Sequence, residues 1–386
     1  MKRLAIIATH PVQYNVPWFR RLANETGIEL CVFYTWHADD QVKYDPDFQR
    51  NIAWDIPLLE GYNCRLVAPQ PTVSRKTFWN LNNDISGPIE AWGPDGILVM
   101  GWNYLSHLRA MRHFSGKIPI FFRGDSTLLD HHSGCRSTLR RMLLTQVYKY
   151  VDTAFFVGKN NYDYFRKFGV GPEQLCFAPH AVDNRKFSSD GNRYEEIATD
   201  WRSSLGIGKK NIVFLFAGKL IPKKSPDLLL AAFKTFSRVR AAELVFVGQG
   251  SWEEKLRSQA HGMSNVHFLP FQNQSKMPIV YRLGDVVCLP SAGPGETWGL
   301  AINEAMACGR SVIVSDKAGC ARDLVADQQT GYVHKADSQT SLLEAMQKCQ
   351  NRDELVSRGK ACSQFIDTWS CDAIAKQIKN RFLSAA

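Results

Sequence analysis

The sequence predicts an α/β protein made of two consecutive domains, each built on a doubly wound parallel sheet. Short apolar segments of strand length alternate with longer segments of helical periodicity along most of the chain. A polar stretch near the middle interrupts this alternation once, and the pattern then starts again. The length of 386 residues also exceeds one ordinary domain core and suits two.

The first domain is predicted over residues 1–183. Its strand candidates are rich in Val, Ile, Leu and Phe, a composition typical of strands buried on both faces. These candidates are 4–9, 28–36, 95–101, 118–124 and 153–158. Helical periodicity follows most of them, so successive strands are expected to lie parallel in one sheet.

The second domain is predicted over residues 205–370. The segment 184–204 is polar and contains no strand candidate, which indicates a linker. The strand candidates after it are 211–218, 243–250, 266–271, 286–291 and 311–316. A further helical pattern occupies the C-terminus, over residues 371–386.

Charge and cysteine content limit the partners and the compartment. The net charge of +10 leaves phosphorylated ligands, anionic lipid and nucleic acid open as partners. Nucleic acid is the least favoured of these partners, because the basic residues are dispersed and no nucleic-acid-binding motif accompanies them.

Ten cysteines without a C-x-x-C pair suggest free thiols in a reducing compartment. No apolar segment reaches the length of a membrane span, so we expect a cytoplasmic protein, membrane-associated at most at the surface.

The segment SAGPGETWGLAINEAMACG (291–309) carries the strongest functional pattern. A Gly/Pro-rich loop follows a strand and leads into a helix, whose first N–H groups and dipole favour an anionic ligand. Glu296 lies before this helix, and Glu304 lies about two turns inside it. One carboxylate can face a sugar while the other accepts hydrogen bonds from a ribose diol. The alternative is that both are solvated helix residues.

A second pattern, FAGKLIPKKSP (216–226), places Gly218, Lys219 and Lys224 after a strand. Two fixed ammonium groups would stabilise the charge that a diphosphate leaving group gains as its bond breaks. Lys223 could replace Lys224, and a solvated basic turn is the alternative. With these cations a metal is unnecessary. The D-x-D formed by Asp45 and Asp47 is therefore interpreted as a solvated loop.

The first of these segments resembles the E-x7-E region of family-4 retaining glycosyltransferases. That family has the GT-B fold, in which two Rossmann-like domains face a central cleft. The resemblance implies that Glu296 contacts the donor sugar and that Glu304 binds the ribose. The backbone amides expected to hold the diphosphate and the sugar belong to Thr297, Trp298, Gly299 and Leu300.

The resemblance extends over about residues 205–386. It implies that Phe271 and Gln272 hold the nucleotide base, and that the C-terminal helix of 371–386 crosses back to the first domain. Lys219 stands where the family usually has Arg. The nucleotide-diphosphate sugar would act as co-substrate, without a cofactor or metal.

Candidate acceptor or sugar contacts lie in the first domain. The loop after the first strand contains His10, Gln13 and Tyr14, where many relatives have paired glycines. Arg123 and Asp125 follow another strand, where relatives often place a His. A capping or packing role is the alternative for His10, and a helix N-cap is the alternative for Asp125.

The helical pattern 136–151 combines basic and apolar residues. It could dock on anionic lipid, which suits a lipid-linked acceptor. The alternative is a core-packing helix with a basic outer face.

These residues predict a metal-independent sugar transferase, and the resemblance implies that it is a retaining hexosyltransferase of polysaccharide biosynthesis. The sugar would pass to a hydroxyl of a glycan or lipid-linked acceptor, and the departing phosphate would take the acceptor proton. The alternatives are a GT-B nucleotide-sugar epimerase or phosphorylase, and a catalytically degenerate nucleotide-sugar-binding protein.

Overall fold

The structure is a computed structural model that describes residues 1–36, 43–67, 84–130, 135–325, 327 and 329–385. The chain divides into two compact units. The first contains Met1–Gln41, Pro57–His180 and Cys371–Ala386, and the second contains Val42–Ile56 and Ala181–Ser370. The segment 184–204, which its polarity predicted as a linker, holds two helices that belong to the second unit.

The secondary structure alternates strands and helices in both units. The strands are β1 Lys2–Ala8, β2 Ile28–Tyr34, β3 Lys43–Asp45, β4 Arg50–Ile52, β5 Asn63–Leu66, β6 Gly96–Met100, β7 Ile120–Arg123, β8 Thr153–Phe156, β9 Leu175–Phe177, β10 Ile212–Ala217, β11 Ala242–Val247, β12 Val266–Leu269, β13 Val286–Leu289, β14 Ser311–Ser315 and β15 Gly331–His334. The helices are α1 Val16–Ala23, α2 Ser86–Trp92, α3 Leu105–Phe114, α4 Cys135–Tyr148, α5 Lys159–Lys167, α6 Asn184–Ser188, α7 Gly191–Ser204, α8 Pro226–Phe236, α9 Glu253–Gln259, α10 Met277–Arg282, α11 Leu300–Ala307, α12 Ala321–Leu324, α13 Gln339–Gln347, α14 Arg352–Ile366 and α15 Cys371–Ser384. Short 3-10 turns occupy Pro172–Gln174 and Pro222–Lys224.

The first unit is built on a parallel sheet with the strand order β5-β2-β1-β6-β7-β8-β9. Its central strand β1 is buried from Leu4 to Ala8, because helices cover both faces of a parallel sheet. Aromatic side chains such as Phe122, Tyr148 and Phe165 fill the core on one face. The last helix, α15, packs against α1, and the ammonium of Lys2 donates to the carbonyl oxygen of Leu383 at 3.3 Å.

The second unit is built on a parallel sheet with the strand order β12-β11-β10-β13-β14-β15. Phe214 of β10 packs against Phe233 and Phe236 of α8, in a core that also includes Leu244. Before this sheet, the short strands β3 and β4 pair antiparallel as a hairpin that belongs to the same unit.

Both sheets reverse their strand order beside the first strand of the unit. In the second sheet, β11 lies on one side of β10 and β13 on the other. The carboxyl ends of the two strands that flank such a reversal leave a crevice in which α/β proteins bind ligands. In the second unit these ends continue into the loops 218–225 and 290–299, which contain the two functional patterns of the sequence.

The strands that the sequence predicted are present, and the structure adds several that it did not predict. The additions are the hairpin strands β3 and β4, together with β5, β9 and β15 at the edges of the two sheets. Edge strands are partly exposed, so they lack the continuous apolar run that marks a buried parallel strand. The helical pattern predicted over 371–386 corresponds to α15, Cys371–Ser384.

Candidate functional site

The loops after β10 and β13 meet through an ion pair and a backbone hydrogen bond. The ammonium of Lys224 contacts the carboxylate oxygen Oε2 of Glu296, which is 8% exposed. The Ser291 hydroxyl donates to the same oxygen at 2.9 Å. The amide of Ala292 donates to the carbonyl of Lys223 at 3.1 Å. Two residues that lie 72 positions apart are thus brought together at the reversal point of the sheet.

The loop from Thr297 to Leu300 is held by a second stretch of backbone. The amide of Gly319 donates to the carbonyl of Glu296 at 3.1 Å, and that of Cys320 donates to the carbonyl of Trp298 at 3.0 Å. A Cβ atom at Gly319 would lie 1.7 Å from the carbonyl oxygen of Thr297, so only glycine permits this approach. Gly299, with a φ of 102°, lets the chain turn directly into α11 at Leu300. The first amides of α11 therefore point toward the crevice.

Trp298 belongs to this loop by its backbone, but its side chain packs inside the unit. Its indole N–H donates to the Asn303 side chain at 2.8 Å, and its ring lies 5.3 Å from the ring of Trp369. The resemblance implied that the backbone amide of this residue, rather than its side chain, meets the donor. In the structure its indole stabilises the loop, so its backbone is the part that a ligand could contact.

Glu304 lies on the inner face of α11 and is 2% exposed. The Tyr281 hydroxyl donates to its Oε2 at 2.5 Å. The positive charge of Lys186 lies close enough to interact with Glu304. Burial lowers the pKa of Lys186, and the charge of Glu304 acts in the opposite direction. The ammonium of Lys186 also donates to the Gln274 side chain at 2.9 Å.

These neighbours of Glu304 were not found by sequence reasoning. Lys186 lies in the segment that was predicted as a linker, and Tyr281 lies in a short helix without a recognisable motif. Only the packing of α6, α10 and α11 brings them together.

Lys219 is held by two carboxylates of the hairpin formed by β3 and β4. Its ammonium lies 3.0 Å from Oδ2 of Asp45 and 2.9 Å from Oδ2 of Asp47. The hydrogen bond from Lys219 holds the pKa of Asp47 below its ordinary value. The D-x-D lies in a largely exposed turn, as the interpretation of a solvated loop expected, but both carboxylates also take part in ion pairs with a predicted site residue.

Two further loops line the carboxyl end of the second sheet. Gly248 and Gly250 follow β11, and a Cβ atom on either would collide with the backbone of Gly218 or Leu220. This G-x-G motif thus lets two loops pack backbone to backbone, beside Lys219. After β12, the side chain of Gln272 donates to the carbonyl of Pro270 at 3.2 Å, and the Phe271 ring lies 4.9 Å from the ring of Phe48.

In the first unit, the predicted loop residues lie after β1, between that strand and α1. His10 shares a hydrogen bond of 2.9 Å with the Thr9 hydroxyl and packs edge-on against Trp36, at 5.9 Å between ring centres. Gln13 and Tyr14 lie in the turn before α1 and are half-buried. These three residues occupy the reversal point of the first sheet, between β1 and β6.

Arg123 differs from the sequence expectation. Its guanidinium is buried, donates to the carbonyls of Ala178 and Pro179 at 2.8 Å each, and lies over the Trp18 ring. It therefore holds the chain after β9 in place rather than facing a sugar. Asp125 is about half exposed, and its carboxylate lies 4.0 Å from Nε2 of His180.

His180 is a histidine of this region that the sequence analysis missed, because it follows the weakly patterned strand β9. Burial lowers its pKa to about 4, with the charge of Asp125 opposing the shift. Among the described residues, no cluster of three or more His, Cys, Asp or Glu is arranged to hold a metal ion.

Two α/β units, each with a parallel sheet that reverses its strand order, are the architecture of the GT-B fold class. Over its full length the chain superimposes on the crystal structure of Anabaena Alr3699/HepE in complex with UDP and glucose, with a TM-score of 0.72, 16% identity and 100% of both chains covered. At this identity the likeness shows the fold. Residues 198–361 match the family model described as Glycosyl transferases group 1.

Curated relatives share part of the chain. A D-inositol 3-phosphate glycosyltransferase of Segniliparus rotundus is 35% identical over 174 residues, which cover 43% of this chain and 37% of the relative. A GDP-mannose-dependent alpha-(1-6)-phosphatidylinositol monomannoside mannosyltransferase of Mycobacterium tuberculosis is 28% identical over 250 residues, covering 62% of this chain and 63% of the relative. The chain thus spans less than two thirds of the length of either relative.

Proposed function

We propose that this chain is a retaining glycosyltransferase that moves a hexosyl group from a nucleoside-diphosphate sugar to a hydroxyl of a glycan or lipid-linked acceptor. The observation that carries the proposal is the meeting of Lys224, Glu296 and the first turn of α11 at the reversal point of the second sheet. The match of residues 198–361 to the family model of group 1 glycosyl transferases supports the same chemistry.

The donor would bind to the second unit. The first amides of α11 and the ammonium groups of Lys219 and Lys224 offer donors to the diphosphate oxygens. Glu304 would accept hydrogen bonds from the ribose hydroxyls, and Glu296 would contact the sugar. Lys224 and Ser291 already hold the Glu296 carboxylate in one orientation, so this side chain loses little conformational freedom when the donor binds.

In the reaction, the bond between the anomeric carbon and the diphosphate oxygen breaks, and a bond from that carbon to the acceptor oxygen forms on the same face. The acceptor proton passes to the departing phosphate oxygen. The two lysines stabilise the negative charge that develops on the diphosphate. Because they provide this positive charge, we propose that transfer proceeds without a metal ion.

The acceptor would lie against the first unit, where His10, Gln13, Tyr14 and Asp125 remain the proposed contacts. The names of the two curated relatives mention inositol phosphate and phosphatidylinositol acceptors. A phosphorylated or lipid-linked acceptor is therefore the class to test first, and UDP-sugars and GDP-sugars are the first donors.

We further propose that α4 contacts an anionic membrane surface that presents the acceptor. Its inner residues Leu144, Val147 and Tyr148 are buried in the core. On its outer side, Leu139, Met142 and Leu143 are 70%, 64% and 53% exposed. Arg140 and Arg141, also exposed, lie between them. This part of the helix is thus exposed around its circumference and carries both apolar and basic side chains, which favours a lipid surface over a purely structural role. Among the described residues, no helix has the length and apolar character needed to cross a bilayer.

The function is tested first by a thermal-shift panel of nucleotide sugars, because a ligand of the folded state raises the melting temperature. A labelled donor that stabilises the protein is then incubated with and without glycan and lipid-linked acceptors. Acceptor-dependent transfer with retained configuration supports the proposal. Conversion of the donor without acceptor would indicate an epimerase, and donor binding without turnover would indicate a binding protein.

A further inference from the structure

The hairpin segment, defined here as residues 43–56, is a short independent element of the second unit. The residues on both sides of this segment belong to the first unit. Strands β3 and β4 pair from Lys43 opposite Ile52 to Asp45 opposite Arg50. Oδ1 of Asp45 accepts hydrogen bonds from the amides of Asp47 and Phe48, at 2.9 and 3.0 Å. The turn that carries both carboxylates is therefore ordered by its own hydrogen bonds.

The tip of the hairpin segment occupies the ammonium of Lys219. An ammonium has three N–H donors, and Asp45 and Asp47 each accept from it at about 3 Å. Two carboxylates on one ammonium present the same kind of oxygen ligand, with the same sign of charge, as the oxygens of a diphosphate. Oδ2 of Asp45 also lies 3.0 Å from the ammonium, so three carboxylate oxygens face its three N–H donors. Lys219 therefore cannot hold the oxygens of a diphosphate in this geometry at the same time.

The body of the hairpin segment covers the loop after β12. The Phe48 ring meets the Phe271 ring edge-on at 4.9 Å between centres, and the Arg50 guanidinium lies over the same Phe271 ring at 4.9 Å. Arg50 also donates to the side chain of Gln249 at 3.0 Å. The aromatic face that would otherwise meet a nucleotide base is thus covered by side chains of this chain.

Two further hydrogen bonds fasten the end of the hairpin segment to the same loop. The Asn273 side chain donates to the carbonyl of Ala53 at 2.6 Å. The amide of Ser275 donates to the Asp55 carboxylate at 3.1 Å. The contacts therefore reach from the proposed phosphate cation to the proposed base loop.

We propose that the hairpin segment is an intramolecular competitor of the donor, in which Asp45 and Asp47 occupy Lys219 in place of the diphosphate and Phe48 with Arg50 covers the base loop. This inference rests on the proposed function, since it concerns the same donor site. Its contacts with Lys219 are partly exposed, so each is weak and sensitive to salt. A donor whose diphosphate carries a similar charge and which also gains the amides of α11 displaces it.

The test compares the binding of UDP and GDP to wild-type protein and to the double variant Asp45→Asn/Asp47→Asn by titration calorimetry. Both substitutions keep the side-chain shape and remove the charge that competes for Lys219. We expect the variant to bind the better nucleotide about fivefold more tightly, with a smaller difference at high salt. The matched control is Glu90→Gln, which removes the exposed ion pairs of Glu90 with His113 and Lys117 in the first unit. It should leave nucleotide affinity unchanged.

A second readout follows the hairpin segment directly in wild-type protein. Hydrogen exchange of the amides in residues 43–52 should become faster when UDP or GDP is added, because the segment leaves the loops that protect it. Unchanged or weaker nucleotide binding in the double variant would overturn the inference, as would slower exchange of the hairpin segment, while the donor site would stand. Failure of every nucleoside diphosphate to bind any of the proteins would instead reject the proposed function, and the inference with it.

Discussion

At the scale of single residues, the second unit assigns its charged groups to pairs that connect distant parts of the chain. Glu296 is paired with Lys224, Glu304 accepts a hydrogen bond from Tyr281, and Lys219 is paired with the hairpin segment. A partly buried carboxylate is stable only when its charge is matched, so each of these partners fixes the geometry of a proposed donor contact. Measuring both the stability and the transfer rate of variants at these positions therefore distinguishes a structural role from a role in donor binding.

Glu304→Gln should remove most transfer activity while the fold remains intact. The glutamine keeps the volume and can still accept a hydrogen bond from Tyr281, but it has lost the charge that would strengthen two bonds to the ribose hydroxyls. We expect kcat/KM to fall by about 100-fold or more. The measurement is the initial rate with a labelled nucleotide sugar, beside a melting curve that shows a nearly unchanged Tm. Near-normal turnover would reject the assignment of Glu304.

Lys224→Met should reduce both activity and stability, because it leaves the Glu296 carboxylate buried with Ser291 as its remaining described hydrogen-bond partner. We expect the free energy of unfolding to fall by about 2 kcal/mol, since the ammonium is partly exposed. The double variant Lys224→Met/Glu296→Gln removes the unmatched charge and should recover most of that stability without recovering activity. Urea unfolding and transfer rates on the same preparations test both statements. A single variant that transfers sugar at the wild-type rate would contradict the role of Lys224.

At the scale of elements, loops and helices explain why the site lies where it does. The loops after β10 and β13 flank the reversal point of the second sheet, and the G-x-G loop after β11 packs against the first of them. Helix α11 begins at the end of the second loop, so its first amides and its dipole face the same crevice. Helix α4 has another kind of surface, in which apolar and basic side chains are exposed together.

The outer face of α4 should mediate binding to anionic vesicles. Leu139→Glu and Met142→Glu place negative charge where the helix would enter the lipid interface, so each should abolish sedimentation with phosphatidylglycerol vesicles. Both side chains are exposed, and we therefore expect the Tm to change little. Val356→Glu is the control, because Val356 is a similarly exposed apolar residue on α14 of the second unit. Equal sedimentation of all three variants and the wild type would rule out α4 as the docking surface.

At the scale of the whole molecule, each unit buries polar groups whose protonation contributes to its stability. His107 is fully buried in the first unit, where its Nδ1 lies 2.8 Å from the carbonyl oxygen of Gly101 and its Nε2 lies 3.1 Å from the Thr35 hydroxyl. Burial lowers the pKa of His107 to about 4. In the second unit, burial also lowers the pKa of His334. The imidazole rings of both histidines are therefore neutral in the folded protein at pH 7.

The stability of the first unit should decrease as the pH falls from about 6.5 to about 4. In this range the unfolded chain protonates residue 107 and the folded chain does not, so the unfolded state binds more protons. The contribution of His107 is complete above about pH 6.5, and about 3 kcal/mol of it is lost by pH 4. Urea unfolding at several pH values should give a shallower pH dependence for His107→Gln than for wild type. Parallel curves for the two proteins would contradict the assignment.

The sequence alone determined the fold class and most buried strands, and it indicated the segments of the proposed site. Continuous apolar runs mark buried parallel strands, and a glycine-rich loop before a helix marks an anion-binding turn; both signals are local. The edge strands β5, β9 and β15 were not predicted. Their residues are partly exposed, so they do not form the continuous apolar segment that marks a buried strand.

Only the tertiary structure decided which groups meet. Lys219 and Asp47 lie 172 positions apart, and Arg123 turned out to hold the carbonyls of Ala178 and Pro179. No local pattern encodes such partners, because an ion pair depends on where sheet topology and packing bring two side chains rather than on the residues beside them. For the same reason the sequence around the D-x-D indicated only a polar loop, whereas the fold brings its carboxylates into contact with the ammonium of Lys219.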